Sequence, residues 1–243
     1  MKSIVAEITE KYIWNRELVN MERAYVARVA HSAKRFLSDI PVHLLDEDND
    51  LIKLSHDFIE HVGSGNYDDI IPYLQSYSIK GKTLSEDIQI DEGCQLCVEC
   101  CKHEGMGSAS HLYVLTKEGK QDFEVNKYLH FSKSITGAWL VYLMQIIERY
   151  MPMFWHALYG AHRYIFDQQD VSEVNSIKSP EQYDVRPCVF MIGNLMYVRA
   201  CYFTLWGGLI RRTYRIDLDE SGCATCVHAG YKTLFHYFTS LRF

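Results

Sequence analysis

The chain has 243 residues, enough for one large domain or two small ones. Its apolar fraction of 48% allows an extensive core, and its net charge of −6 argues against nucleic-acid binding through a broadly basic surface. The sequence contains no apolar run long enough for a membrane span, and its first ten residues lack the apolar stretch of a signal peptide. These features favour a cytosolic or nuclear protein.

Residues 1–80 predict a helical N-terminal region. Residues 3–37 contain no glycine or proline, and their apolar side chains recur every three or four positions, as on one face of a helix. A second helix is predicted from Asn49 or Asp50, either of which can cap it, to Val62. A third short helix is predicted over 67–78, with Pro72 in its first turn.

Residues 81–243 predict a mixture of strands and helices. A strand is predicted from His111 to Thr116, a helix over 132–151, and a loop over the polar segment 167–184. The clearest signal is 187–218, where Gly-Asn and Gly-Gly pairs separate β-prone runs and predict a three-stranded antiparallel meander. The tail 228–243 predicts one more short helix.

The predicted fold class is therefore α+β, with the helical N-terminal region packed on an antiparallel sheet that carries cysteine-rich zinc knuckles. The helical region (residues 1–80) and the zinc-stabilised region (residues 81–243) are expected to form one continuous globular unit.

The cysteines concentrate in two segments. The first runs from Cys94 to His111 and holds four cysteines and two histidines, and the second contains Cys223 and Cys226. Each C-x-x-C pair follows an acidic run and a glycine, which lets the backbone fold so that both sulfurs face one point. Zinc needs four such ligands in a tetrahedron, so the two pairs predict a structural zinc site that joins the middle of the chain to its end. The candidate ligands are Cys94, Cys97, Cys100, Cys101, His103, His111, Cys223, Cys226 and His228.

Other interpretations of these cysteines stay open. The first cluster alone could complete a zinc site. An iron–sulfur cluster is less favoured, because the fourth cysteine spacing and the proline of the ferredoxin run are missing. A thioredoxin-like redox pair would need a strand–helix context that neither pair has. Cys188 and Cys201 fall within predicted strands and are expected in the core.

Signatures of catalysis are sparse. The sequence has no G-x-S-x-G, no P-loop and no H-E-x-x-H, and neither C-x-x-C follows the proline of the zinc deaminase signature. A non-catalytic protein is therefore expected. Two alternatives remain, namely a metal-dependent enzyme and a zinc-stabilised nucleic-acid-binding regulatory protein, for which Arg211, Arg212 and Arg215 with Tyr214 are the relevant feature.

Residues 188–203 resemble a segment of a viral protein family. This segment reads C-V-F-M-I-G-N-L-M-Y-V-R-A-C-Y-F, and it lies between the cluster that contains Cys100-Cys101 and the later C-x-x-C pair. In this arrangement the chain resembles the adenovirus early-region-four protein of thirty-four kilodaltons, over roughly residues 84–228. The matching positions of the most specific segment are Val189, Phe190, Met191, Gly193, Tyr197 and Arg199.

The resemblance implies a viral adaptor in the host nucleus and cytoplasm. Such adaptors recruit host elongin B/C and a cullin ubiquitin ligase, act with a second viral early protein to promote degradation of host defence proteins, and favour late viral gene expression. The elongin contact would be a short helix with an anchoring leucine. Leu158 and Leu234 are the candidate anchors, and Arg199, Arg211, Arg212 and Arg215 are candidate partner contacts. Neither a membrane nor a small-molecule substrate is expected.

Overall fold

The computed structural model describes residues 42–45, 50–64, 67–103, 107–122, 125–148, 163–192, 195–205 and 207–237, with the backbone alone at 42–44, 64, 100–103, 107–110 and 148. The helix predicted over 3–37 lies outside the described residues. Within them the chain combines helices with antiparallel sheets, which confirms the coarse α+β prediction.

Four α-helices occur in the described residues: α1 Asp50–Ser64, α2 Ile71–Ser76, α3 Ile135–Glu148 and α4 Gln168–Ser172. The first three confirm predicted helices, with α2 shorter than expected and Pro72 in its first turn. The fourth lies in the segment predicted as a polar loop. It begins with a capping box, in which the Asp167 side chain accepts from the backbone of Asp170 and the Asp170 side chain accepts from the backbone of Asp167.

The strands form one large sheet and three small ones. The large sheet has the order β1-β10-β11-β12-β13, and β9 pairs with the last residues of β11. The small sheets are β5-β6-β7, β4-β8 and β2-β3. The strands are β1 Val42–Leu44, β2 Ser78–Ile79, β3 Lys82–Thr83, β4 Ile88–Ile90, β5 Gln95–His103, β6 Gly107–Thr116, β7 Gly119–Gln121, β8 Leu129–Phe131, β9 Arg163–Ile165, β10 Cys188–Ile192, β11 Leu195–Thr204, β12 Gly208–Leu218 and β13 Ala224–Phe235.

Helix α3 lies at the centre of the core. Its residues 138–147 are all buried, because it contacts the large sheet on one side and β6, β8 and α1 on others. At the start of α3, the backbone of Gly137 lies close to the Ser132 carbonyl oxygen. Only glycine allows this, since a Cβ at position 137 would lie 2.1 Å from that oxygen. One cluster of buried side chains joins α3 to α1 and to β11, so residues on both sides of position 80 share a core.

The predicted meander is confirmed as β10, β11 and β12, which pair antiparallel. Cys188 and Cys201 are buried within it, at 1% and 0% exposure, as predicted. The prediction of a helix from residue 228 is wrong over the described residues of the tail. There the chain continues as β13, which pairs with β12 and gains hydrogen bonds along its whole length.

Candidate functional site

The two C-x-x-C pairs have the same local structure. In each, the first cysteine precedes a strand and is partly exposed, while the second lies inside the strand and is buried. The Cys97 thiol donates a hydrogen bond to the Asp68 carbonyl at 2.7 Å, and Cys226 belongs to the main core cluster. Among the described side chains, no three of the predicted zinc ligands lie within metal-binding distance of one another. The cysteine-rich stretch forms the β5–β6 hairpin.

The regions around the two pairs nevertheless meet, at His130. This residue lies on β8, which pairs with β4 just before Asp91. The His130 Nε2 atom is 2.6 Å from an Asp91 carboxylate oxygen, and its Nδ1 is 2.9 Å from the Ser221 carbonyl oxygen. The Cys223 sulfur is 3.8 Å from the same Nδ1. We call Asp91, His130, Ser221 and Cys223 the histidine junction.

The turn before β13 holds Cys223 in this position. The Asp219 carboxylate accepts hydrogen bonds from the backbone N–H groups of Ser221 and Cys223, each at 2.9 Å. Gly222 has φ +89°, and a Cβ there would lie 2.9 Å from the Phe131 carbonyl oxygen. The Phe131 N–H in turn donates to the Gly222 carbonyl at 2.9 Å. The turn is therefore fixed against β8.

Electrostatics at the histidine junction favour the charged imidazole. The Asp91 carboxylate, followed by the Ser221 carbonyl, raises the pKa of His130. Sequence reasoning missed His130, because it belongs to neither cysteine segment and has no ligand-like spacing. Only the β4–β8 pairing brings it to Asp91.

The remaining predicted ligands are divided between other places. On the β5–β6 hairpin, Cys97 pairs with Tyr113 and Glu99 with His111, so these four residues share one face. Cys100, Cys101 and His103 also lie on β5, where only the backbone is described. His111 Nε2 lies 3.2 Å from Asp122, while its buried Nδ1 has no hydrogen-bond partner among the described residues. His228 is on β13, opposite Tyr214.

The candidate partner contacts include three arginines on one face of the large sheet. Arg199 on β11 pairs with Thr213 on β12, so Arg211 and Arg215 lie on the same face on either side of that position. We call these three residues the arginine row. Arg212 lies on the opposite face and its guanidinium stacks on Tyr202 at 4.4 Å. Alternation along β12 therefore separates Arg211 and Arg215 from Arg212 and Tyr214.

Three of the six residues that carry the family resemblance, Phe190, Tyr197 and Arg199, pack together on the face of the arginine row. The Phe190 and Tyr197 rings stack at 5.2 Å with an interplanar angle of 10°, and the Arg199 guanidinium lies 5.5 Å from the Phe190 ring. Two Arg199 nitrogens each lie 3.3 Å from the Cys188 sulfur. These contacts follow from direct cross-strand pairing of Phe190 with Tyr197 and of Cys188 with Arg199.

Of the two candidate elongin anchors, the structure describes only Leu234. Leu158 lies outside the described residues. Leu234 lies on strand β13, so the predicted helical anchor at Leu234 is wrong.

One further group of potential metal ligands is present among the described residues. His56 Nε2 lies 3.2 Å from Asp167 and 3.7 Å from Asp170. Both carboxylates already accept backbone hydrogen bonds, because they form the capping box of α4 and Asp170 also accepts from Phe166 at 2.7 Å. This group is explained by helix capping and by the contact of His56, on α1, with the first turn of α4.

Comparisons of the chain with protein-family models, with curated proteins and with solved structures find no match. No helix of the described residues is long and apolar enough to cross a membrane. Function therefore has to be argued from the geometry of the chain.

Proposed function

We propose that the protein is a non-catalytic adaptor that binds an acidic partner through the arginine row. The observation that carries this proposal is the alignment of Arg199, Arg211 and Arg215 on one face of two neighbouring strands, in a chain of net charge −6. Within the described residues, only Arg215 of the three has a carboxylate in salt-bridge distance, at Asp217. Positive charge concentrated on one face of an acidic protein favours a complementary acidic surface.

The immediate surroundings of the row support a fixed binding surface. Arg199 is held between the Phe190 ring and the Cys188 sulfur, and Arg211 donates to the Asp184 carbonyl at 3.5 Å. Arg211 also keeps a buried Nε without a hydrogen-bond partner in the described portion of the chain. Arginines held by packing lose less side-chain freedom on binding than free ones.

The resemblance extends this proposal to a particular class of adaptor. On that basis the partners are host elongin B/C and a cullin, together with a second viral early protein, in the host nucleus and cytoplasm. The outcome would be degradation of host defence proteins and late viral gene expression, with zinc as a structural cofactor. The resemblance alone supports the elongin contact, since neither predicted leucine anchor lies on a described helix.

The nucleic-acid alternative is less favoured, because Arg212 and Tyr214 face away from the row. Retention of the wild-type chain on single-stranded RNA at moderate salt, with loss on substitution of the row, would make that alternative the better one.

The test is a pull-down from host-cell lysate with three forms of the chain. The double variant Arg211→Gln/Arg215→Gln removes two charges from the row, and Lys133→Gln/Lys178→Gln removes two exposed charges elsewhere. We expect the wild type and the lysine variant to capture the same partners and the arginine variant to lose them. Elongins and a cullin among those partners would support the ligase adaptor.

Two results would reject elements of the proposal. Full capture by a folded arginine variant would exclude the arginine row as the binding surface. Specific partners without any ligase subunit would exclude the ligase assignment. Circular dichroism and the thermal midpoint of each variant establish that it is folded.

A further inference from the structure

We infer that the face of the large sheet that carries the arginine row binds an amphipathic helix of a partner protein, with apolar side chains toward one end of that helix and carboxylates toward the other. The inference rests on the proposed function and deepens it, because it replaces a generally acidic partner with a segment of stated length and chemistry.

This face of the sheet is covered at one end only. Along β11, alternate side chains from Leu195 to Phe203 belong to it, since the residues between them, such as Met196 and Val198, pack in the core around α3. Cys201 and Phe203 are buried in a second cluster with residues from the segment around α4. Leu195, at the other end, is 39% exposed. The face is therefore open to solvent at the Leu195 end.

Apolar side chains mark this open end. Val227 is 43% exposed and lies directly opposite Arg215, so it belongs to the same face. Tyr197 lies between Leu195 and Val227, because it pairs with Arg215 from the other side and is itself only partly buried. Two exposed aliphatic side chains and a tyrosine ring on one sheet face form a contact area for apolar groups of a partner.

Charge on this face increases along the strands. At the open end the Arg215 charge is offset by Asp217, whose Oδ2 lies 2.8 Å from two of the guanidinium nitrogens. Toward the covered end lie Arg199 and Arg211, and the exposed Lys232 is directly opposite Arg211 on the neighbouring strand. The face thus passes from an apolar end to an end with three cations. A complementary partner has apolar and acidic side chains in the same order.

The dimensions of this area fit one helix. Arg211 pairs with Cys201, six positions beyond Leu195 on β11, and this separation corresponds to about 20 Å along the strands. A helix of about 14 residues has that length, and its diameter of about 10 Å covers two to three strands. Helix α3 contacts the same strands from the other face. A helix here would complete a three-layer arrangement with the sheet in the middle.

The first experiment selects a displayed library of random peptides of about 16 residues, long enough for this helix, against the immobilised wild-type chain. We expect the enriched peptides to carry apolar residues near one end and Asp or Glu near the other, at the three- and four-residue spacing of one helix face. Circular dichroism should show a gain of helix when an enriched peptide binds. Enrichment of no peptide, of peptides that lack either residue class, or of peptides that stay extended when bound would overturn the inference.

The second experiment measures the affinity of one enriched, fluorescein-labelled peptide by anisotropy. Leu195→Thr/Val227→Thr should weaken binding about tenfold and leave its salt dependence unchanged, because only apolar contact is lost. Arg211→Gln/Lys232→Gln should also weaken binding about tenfold at low salt, and should reduce the salt dependence. Wild-type affinity in either folded variant would overturn the inference.

The chain offers a matched control for the apolar variant. Leu115 and Met191 are the other two exposed large apolar residues of the described chain. Leu115 belongs to the β5-β6-β7 sheet, and Met191 pairs with Met196 on the opposite face of the large sheet. Leu115→Thr/Met191→Thr should bind the peptide as the wild type does, since threonine keeps the strand propensity at all four positions. A loss equal to that of the Leu195/Val227 variant would refute the assignment to this face.

These outcomes are distinguishable from those of the pull-down. If Arg211→Gln/Arg215→Gln loses its partners while the Leu195/Val227 variant keeps both its partners and the peptide, the arginine row remains the binding surface and the amphipathic helix is refuted. If the peptide binds as expected but Arg211→Gln/Arg215→Gln still captures every partner from lysate, the proposed function alone fails.

Discussion

His61 is held between two tyrosine rings, and this position makes it sensitive to pH. Its ring centroid lies 3.9 Å from that of Tyr67 and 4.0 Å from that of Tyr73, with interplanar angles of 29° and 5°. Burial lowers the pKa of His61 below its ordinary value of about 6.5, because the charged imidazolium loses hydration there. The neutral form is therefore the one that the folded chain favours.

We expect the stability that depends on neutral His61 to be present above pH 6.5 or so and to decrease as the pH falls from there through the lower folded-state pKa. The unfolded chain binds the proton first in that window, so protonation favours unfolding. His61→Phe keeps a ring in the stack and removes the titration. Urea unfolding midpoints at two pH values, one on each side of the window, should differ less for His61→Phe than for the wild type. Equal differences would show that His61 is not responsible.

Single residues also show where sequence reasoning succeeds. Burial of Cys188 and Cys201 was predictable, because both sit in strongly β-prone runs. The contacts of His130 with Asp91 and Cys223 were not predictable, since they depend on strands that are far apart in sequence. The C-x-x-C spacing treats both cysteines of each pair alike, and it could not show that Cys97 and Cys226 turn into the core.

At the scale of elements, one buried hydrogen bond joins helices α1 and α3. The Trp139 indole N–H donates to the Ser55 hydroxyl at 2.8 Å, and that hydroxyl donates to the Leu51 carbonyl at 2.7 Å. Both side chains are completely buried. Ser55→Ala leaves the indole N–H without this acceptor, so we expect a loss of about 1–3 kcal/mol in the free energy of unfolding.

The matched control for that prediction is Ser76→Ala. Ser76 is an exposed serine at the end of α2, and its hydroxyl likewise bonds a helix carbonyl, that of Tyr73, at 2.6 Å. Water replaces this bond, so the substitution should change stability by about 0.5 kcal/mol or less. Denaturant unfolding measures both variants. Similar losses in the two would mean that the buried indole finds another partner.

The elements that sequence reasoning identified correctly carry strong local signals. Helix α3 is a long apolar run, and the sequence places a Gly-Asn pair between β10 and β11 and a Gly-Gly pair between β11 and β12, both of which favour tight turns. Strand β13 has no such signal. Its pairing with β12 contains register shifts at Leu209/Ile210 and at Thr213/Tyr214, so tertiary contact rather than local pattern determines it. Of the β5–β6 hairpin, the sequence predicts only the strand His111–Thr116, because the pattern of the preceding residues is dominated by cysteines that also fit a zinc knuckle.

At the scale of the whole molecule, the histidine junction connects two sheets that are distinct in hydrogen bonding. Asp91 and His130 come from the β4–β8 sheet, and Cys223 directly precedes β13 of the large sheet. The backbone bond from Phe131 to Gly222 belongs to the same connection. The histidine junction therefore joins the two sheets through both side-chain and backbone contacts.

Loss of the histidine junction should accordingly have a local effect. We expect His130→Gln to accelerate amide hydrogen exchange in residues 88–91, 129–131 and 219–226, because the variant loses the side-chain contacts with Asp91 and with the Ser221 carbonyl. Exchange in residues 138–147 should stay unchanged, since α3 is buried between sheets that keep their own contacts. Hydrogen-exchange mass spectrometry of the variant and the wild type measures both regions. Equal acceleration in α3 would instead indicate that the histidine junction supports the whole fold.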